Sequence, residues 1–183
     1  MVKRLIFLIL ILMMIFGVSV FRSIIFRSYF PEATSEEIKR SEVLAIAHRG
    51  ASGHAPENTL AAIIKGVNMN ADLVEIDVHL SKDREVVVFH DLTLNRTTNG
   101  SGKISETNWS DIEKLDAGSW FSEDFKEEKV PRLIDVLAYF KKQNEGNGKR
   151  VKLLIEIKNA EGGTLYKGLA QKTIDSFCGE GSK

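Results

Sequence analysis

The chain has a single cysteine, Cys178, among its 183 residues. That excludes an internal disulfide and any thiolate metal cluster. It also lacks an excess of either charge, with 25 basic and 25 acidic residues. No global field therefore points to nucleic acid as a partner. Neither an internal repeat nor a low-complexity tract is present. What is there is ordinary globular composition, 43% hydrophobic and 27% charged,.

The N-terminus departs from that average. Lys3 and Arg4 precede an apolar run over residues 5–18, which Val20 and Phe21 extend. A spanning helix needs about 17–25 apolar residues, and a cleaved leader needs a small-x-small site. Val18-Ser19-Val20 followed by Phe21-Arg22 is a poor cleavage site. Aromatics with Arg22 and Arg27 suit a membrane interface. Residues 1–30 are thus expected to be an uncleaved single-pass membrane anchor, with a cleaved signal or a buried helix as alternatives. Residues 31–42 read as a linker and 43–183 as the globular domain. Three glycosylation sequons begin at Asn95, Asn99 and Asn108, which favours a lumenal or extracellular domain.

Beyond residue 42, strand and helix patterns alternate, as in parallel βα units. Strands are predicted over residues 43–47, 73–80, 85–89 and 151–157. Helices are predicted over 56–69, 133–140 and 164–177. A long polar stretch, 91–130, follows the third strand, and connections of that length are usually functional or disordered.

The chemistry collects at the strand ends. In βα barrels, working residues sit at the C-terminal ends of the strands. "LAIAHRG" ends the first strand in His48 and Arg49. "VEIDVH" places Glu75 and Asp77 two apart, hence on one strand face, and leaves Val74, Ile76 and Val78 for packing on helices. "VVVFHD" ends in His90 and Asp91, and "LLIEIK" in Glu156 and Lys158. Glu75, Asp77 and Glu156 are hard oxygen donors suited to Mg²⁺ or Ca²⁺. Arg49 and Lys158 suit a phosphate. Imidazole is the side chain best suited to exchange protons at neutral pH, so His48 and His90 suit acid–base work. Together these residues fit phosphodiester cleavage. His79 is read as non-catalytic, His54 as solvent-facing, and Trp109 and Trp120 as packing anchors. A barrel amidohydrolase would want His-x-His at the first strand, but Ile46 stands two before His48.

The stretches "AHRGASGHAPENTLAAI", "VEIDVHLSKDREVVVFHD", "LNRTTNGSGKI", "LDAGSWF" and "VPRLIDVL" resemble the glycerophosphodiester phosphodiesterases. The match runs over about residues 43–158. The resemblance implies a TIM (β/α)8 barrel, His48 and His90 as the acid–base pair, and Glu75, Asp77 and Glu156 as metal ligands. It implies Arg49 and Lys158 as phosphate contacts, and 91–130 as the family's insertion. The implied substrate is a glycerophosphodiester, cleaved to glycerol phosphate and an alcohol, or a lysophospholipid. With the apolar N-terminus, the wording is also similar to integral-membrane animal members acting on glycerophosphoinositol. A full barrel takes about 250 residues, whereas 141 follow residue 42. The expectation is therefore the N-terminal half of the barrel, about four βα units. Such a form could be a truncated, inactive isoform working by interaction, and its open half barrel could self-associate.

Overall fold

The computed structural model describes residues 43–145, 150–164 and 166–178. The expected anchor and linker, residues 1–42, lie outside the described residues. Single-pass membrane localisation, and the lumenal placement built on it, are corrected here. Among the described residues no helix is long and apolar enough to cross a membrane.

One mixed sheet organises the domain. Its strands are β1 (Ile46–Ala47), β2 (Leu73–Leu80), β3 (Val86–Val88) and β4 (Lys152–Ile157). The long helices are α1 (Leu60–Asn68), α2 (Leu133–Asn144) and α3 (Leu169–Cys178). Strand β2 is central, and every one of its residues after Leu73 is buried. β1 runs parallel to its start, through Ile46↔Leu73 and Ala47↔Val74. β4 runs parallel along it from Leu73↔Lys152 to Val78↔Ile157.

β3 overturns one expectation. It is antiparallel to β2, pairing Val78↔Val88 and Leu80↔Val86. The expected four parallel βα units are therefore three parallel strands and one returning strand. The reason is chain length: a parallel crossover needs a dozen or more residues, and only 81–85 link β2 to β3. Those residues make a turn instead. Ser81 N–H donates to the Glu85 carbonyl at 3.0 Å, Ser81 Oγ donates to Asp83 at 2.6 Å, and Arg84 takes φ 68°. The return stroke brings Phe89 N–H to the Asp77 carbonyl at 2.9 Å. His90 is thus delivered back to the level of the β2 carboxylates.

Alternation on β2 sorts its side chains. Val74, Ile76, Val78 and Leu80 join Ile63, Val67, Leu133, Val136, Phe140 and Leu169 in the main core between sheet and helices. Each such fully buried aliphatic contributes roughly 1.5–3 kcal/mol. Thr59 caps α1 by accepting from Ala62 N–H at 3.3 Å,. The polar insertion is ordered around a second core of Val87, Phe89, Leu94, Ile104, Ile112, Ala117 and Val130. Trp109 packs on this core beneath the Arg132 guanidinium, 5.4 Å from its ring centroid,. Trp120 is largely exposed, with its indole N–H on the Ala117 carbonyl.

Candidate active site

The parallel register of β2 and β4 builds the acidic centre. Asp77 and Glu156 are direct register partners, and Glu75 lies two residues back on the same face. One oxygen from each of the three carboxylates falls within 4.8 Å of the other two. Glu75 and Asp77 are buried, while Glu156 is exposed. Glu75 Oε1 and Asp77 Oδ1 are buried with no hydrogen-bond partner. Buried polar atoms are almost always satisfied; Glu75 Oε1 has no partner and Asp77 Oδ1 has the Lys158 ammonium beside it, so three carboxylates gathered around one point fit a hard divalent cation. Burial pushes the Glu75 carboxyl upward. An N–H bond from Arg49 opposes that, and the charge of Asp77 adds to it.

Strand β1 ends by folding over this centre. Arg49 has φ 53° and Gly50 φ 75°, left-handed values that turn the chain sharply. Arg49 N–H donates to Glu75 Oε2 at 2.7 Å. The Arg49 side chain reaches Glu57 at 2.9 Å and Asp77 at 3.6 Å. His48 Nε2 lies 3.9 Å from Glu75 and is well exposed. Lys158, two residues past Glu156, donates to it at 2.6 Å and lies 2.9 Å from Asp77 Oδ1. That second approach is a charge contact whose alignment leaves Oδ1 without a hydrogen bond.

His90 has its own carboxylate, Asp91, with Nδ1 to Oδ1 at 2.7 Å. An ionised carboxylate only accepts, so Nδ1 carries the proton and Nε2 is the nitrogen left to exchange one. Asp91 is held at about 2, first by hydrogen bonds from Arg96, with His90 adding to them against burial. His79 is buried beneath, its Nε2 at 2.9 Å from the His90 carbonyl and its Nδ1 at 3.2 Å from the Tyr166 hydroxyl. A carbonyl accepts, so Nε2–H donates and Tyr166 donates to Nδ1. Burial lowers the pKa of this ring, which keeps it neutral and structural. His54 is exposed in its loop.

All seven predicted site residues lie on β2, β4 or the segments just after β1, β3 and β4. Sequence reasoning missed four others. Asn58, at φ 58°, brackets Asp77: its Nδ2 donates to Oδ2 at 2.8 Å and its Oδ1 accepts from the Asp77 N–H at 3.1 Å. Glu57, Asp91 and Arg96 form a linked set. Asp91 was legible as the direct neighbour of His90, and Glu57-Asn58 stand in the "PENT" stretch. Arg96 stands in the quoted "LNRTTNGSGKI" stretch, but no role was read for it.

Parallel strands that carry a carboxylate cluster and flanking cations, with a His–Asp pair brought back to them by the antiparallel β3, define an α/β protein of the TIM-barrel type. The chain belongs to the glycerophosphoryl diester phosphodiesterase family, whose model matches residues 48–178. It is 40% identical over 143 residues to a glycerophosphodiester phosphodiesterase of Bacillus subtilis, covering 74% of this chain and 45% of that protein. Among solved structures it is similar to a glycerophosphodiester phosphodiesterase from Agrobacterium tumefaciens, at TM-score 0.59 and 40% identity, over 66% of this chain and 49% of that one. It is also similar to an Oleispira antarctica phosphodiesterase in complex with the product sn-glycerol-3-phosphate, at TM-score 0.61 and 37% identity, over 75% and 51%. The chain spans about half the length of the curated relatives it matches.

Proposed function

We propose that this chain carries the reaction centre of a glycerophosphodiester phosphodiesterase, hydrolysing a glycerophosphodiester, or a lysophospholipid, to a phosphomonoester and an alcohol. The observation that carries it is the packing of Glu75, Asp77 and Glu156 within 4.8 Å, with Glu75 Oε1 buried and unpartnered and Asp77 Oδ1 met by the Lys158 ammonium. These three would hold Mg²⁺ or Ca²⁺, which supplies positive charge against the anionic phosphate and its transition state. Arg49 and Lys158 already lie against the same carboxylates, so both cations stand where a phosphate would dock. His90 exchanges a proton at Nε2, and His48 at its exposed ring edge. One takes a proton from the attacking water as its oxygen bonds to phosphorus, and the other gives a proton to the leaving alkoxide as the P–O bond breaks.

The test is turnover by the full chain of glycerophosphoinositol and glycerophosphocholine with Mg²⁺, Ca²⁺ or chelator. His90→Ala should cost about 10²–10⁴-fold. Full turnover in excess chelator, or by His90→Ala, overturns the reading. A second reading, a catalytically silent chain acting through association, is favoured by the sheet edges. Among the described residues β4 is paired with β2 alone, and Leu154 and Ile157 on it are exposed.

A further inference from the structure

The least explained feature near the site is Arg96, from the "NRTTNG" stretch of the insertion. Its guanidinium forks onto two carboxylates at once. Nε donates to Asp91 Oδ2 at 2.7 Å and Nη2 to Asp91 Oδ1 at 2.9 Å. Nη1 donates to Glu57 Oε2 at 2.9 Å and Nη2 to Glu57 Oε1 at 2.7 Å. An isolated exposed ion pair contributes little, but planar bidentate pairing fixes geometry as well as charge. Asp91 Oδ1 is the same oxygen that accepts from His90 Nδ1. Glu57 Oε1 is the same oxygen that accepts from Arg49. The loop is braced locally, with Thr98 Oγ1 donating to the Leu94 carbonyl and accepting from Gly100 N–H at 3.0 Å.

We propose that Arg96 is a positioning residue that holds Asp91 on His90 and, through Glu57, ties that pair to Arg49 on the carboxylate centre. A chain of ion pairs then runs Asp77–Arg49–Glu57–Arg96–Asp91–His90, hydrogen-bonded from Arg49 onward and joined to Asp77 by a 3.6 Å charge contact. Without Arg96, Asp91 is free to rotate away and the His90 ring loses its fixed tautomer and orientation. Glu57 supports the assignment. Burial would raise its carboxyl, yet the hydrogen bonds of Arg96 and Arg49 outweigh that and hold it below the usual range. It therefore stays ionised between two guanidinium groups that would otherwise repel. The inference rests on the reading of His90 as an acid–base group.

Two measurements on the full chain separate this inference from that reading. The first needs no turnover. The His90 Nδ1–H···Asp91 proton should give a low-field imidazole resonance, assigned by its loss in His90→Gln. Arg96→Met should shift or broaden it, as Asp91→Asn does. An unchanged resonance in Arg96→Met, or none in the wild type, overturns the inference. The second is kinetic. Arg96→Met should lower kcat about 10–100-fold with KM within about three-fold, a part of the usual acid–base contribution. Arg96 is partly exposed, so millimolar guanidinium should restore much of kcat to Arg96→Ala. A loss shared between kcat and KM, with no guanidinium rescue and a lowered unfolding temperature, would make Arg96 a loop staple and overturn the inference. If His90→Ala keeps full turnover, the reading of the site fails instead, whatever the resonance shows.

Discussion

Lys158 Nζ lies 2.9 Å from Asp77 Oδ1, the buried oxygen that has no hydrogen bond. Burial works to lower the ammonium's pKa, but Glu156 and Asp77 outweigh it and leave it raised. Lys158 therefore occupies the charge position that a divalent cation would share. One unit of charge a few ångströms away amounts to about 1–4 kcal/mol after screening. Lys158→Met should bind Mg²⁺ or Ca²⁺ about ten-fold more tightly in calorimetric titration while losing turnover. Weaker cation binding by Lys158→Met would show that the lysine organises the carboxylates and does not compete for them.

Cation binding should also be visible as stability. A ligand that binds only the folded state, at 100 times its dissociation constant, adds about 2.7 kcal/mol. For a domain of this size that raises the unfolding temperature by about 5 °C or more. Glu75→Gln and Asp77→Asn should each abolish the rise. A rise that survives both substitutions would place the ion elsewhere.

The acidic face of β2 was legible in the sequence because a strand repeats every two residues. Glu75 and Asp77 between Val74, Ile76 and Val78 had to share a side. The same alternation put Lys158 beside Glu156. The direction of β3 was not legible, because three valines read alike running up or down a sheet; the shortness of the 81–85 link decided it. The Glu57–Arg96–Asp91 set was hidden for another reason. It joins residues 39 positions apart through polar loops, whose contacts leave no periodic trace. Arg49 was read as a phosphate contact; in the fold its Nη1 pairs with Glu57, while its buried Nε lies 3.6 Å from Asp77 without a hydrogen bond.

Gly50 tests the turn that carries Arg49. At φ +75° a Cβ there would meet the Ala62 carbonyl carbon at 2.6 Å. Left-handed strain and overpacking against backbone together cost about 2–4 kcal/mol. Gly50→Ala should lower the unfolding free energy from urea titration by that amount and, by shifting Arg49 N–H off Glu75, reduce cation binding too. Wild-type stability in Gly50→Ala would mean that the turn relaxes freely.

Asp91 sets one limb of acid stability. Its carboxyl sits at about 2 in the fold against an ordinary 3.8. A depressed carboxyl stabilises fully above its unfolded value and loses that contribution as pH falls through the folded one. The window is therefore about pH 4 down to 2. With solvent screening of this partly exposed group, the loss is about 1 kcal/mol. Urea unfolding of wild type and Asp91→Asn should show the wild type losing that much more stability across the window. Parallel curves would assign the acid limb to other carboxylates.

Among the described residues one edge of β4 has no strand beside it, and this makes the most exposed prediction. Leu154 is the register partner of Glu75, and 44% of its surface is open to solvent. Ile157, the partner of Val78, is 37% exposed. A strand with one open edge and apolar side chains on both faces is a template for another strand. Its β1 counterpart, where Ile46 is half exposed, is only two residues long and offers less. The full chain should therefore associate as concentration rises, through β4 before β1. Sedimentation over about 1–100 μM should show a growing dimer or larger species, a range where weak strand pairing of roughly −6 to −8 kcal/mol registers. Leu154→Lys and Ile157→Lys, which place charge on that edge as natural sheets do, should return it to monomer, while Ile46→Lys has a smaller effect. Assaying the separated species then connects association to chemistry. Turnover confined to the associated form would mean that a neighbouring chain closes the open side of the Glu75–Asp77–Glu156 centre. A monomer at 100 μM would remove association through β4 and leave the second reading of the function without support.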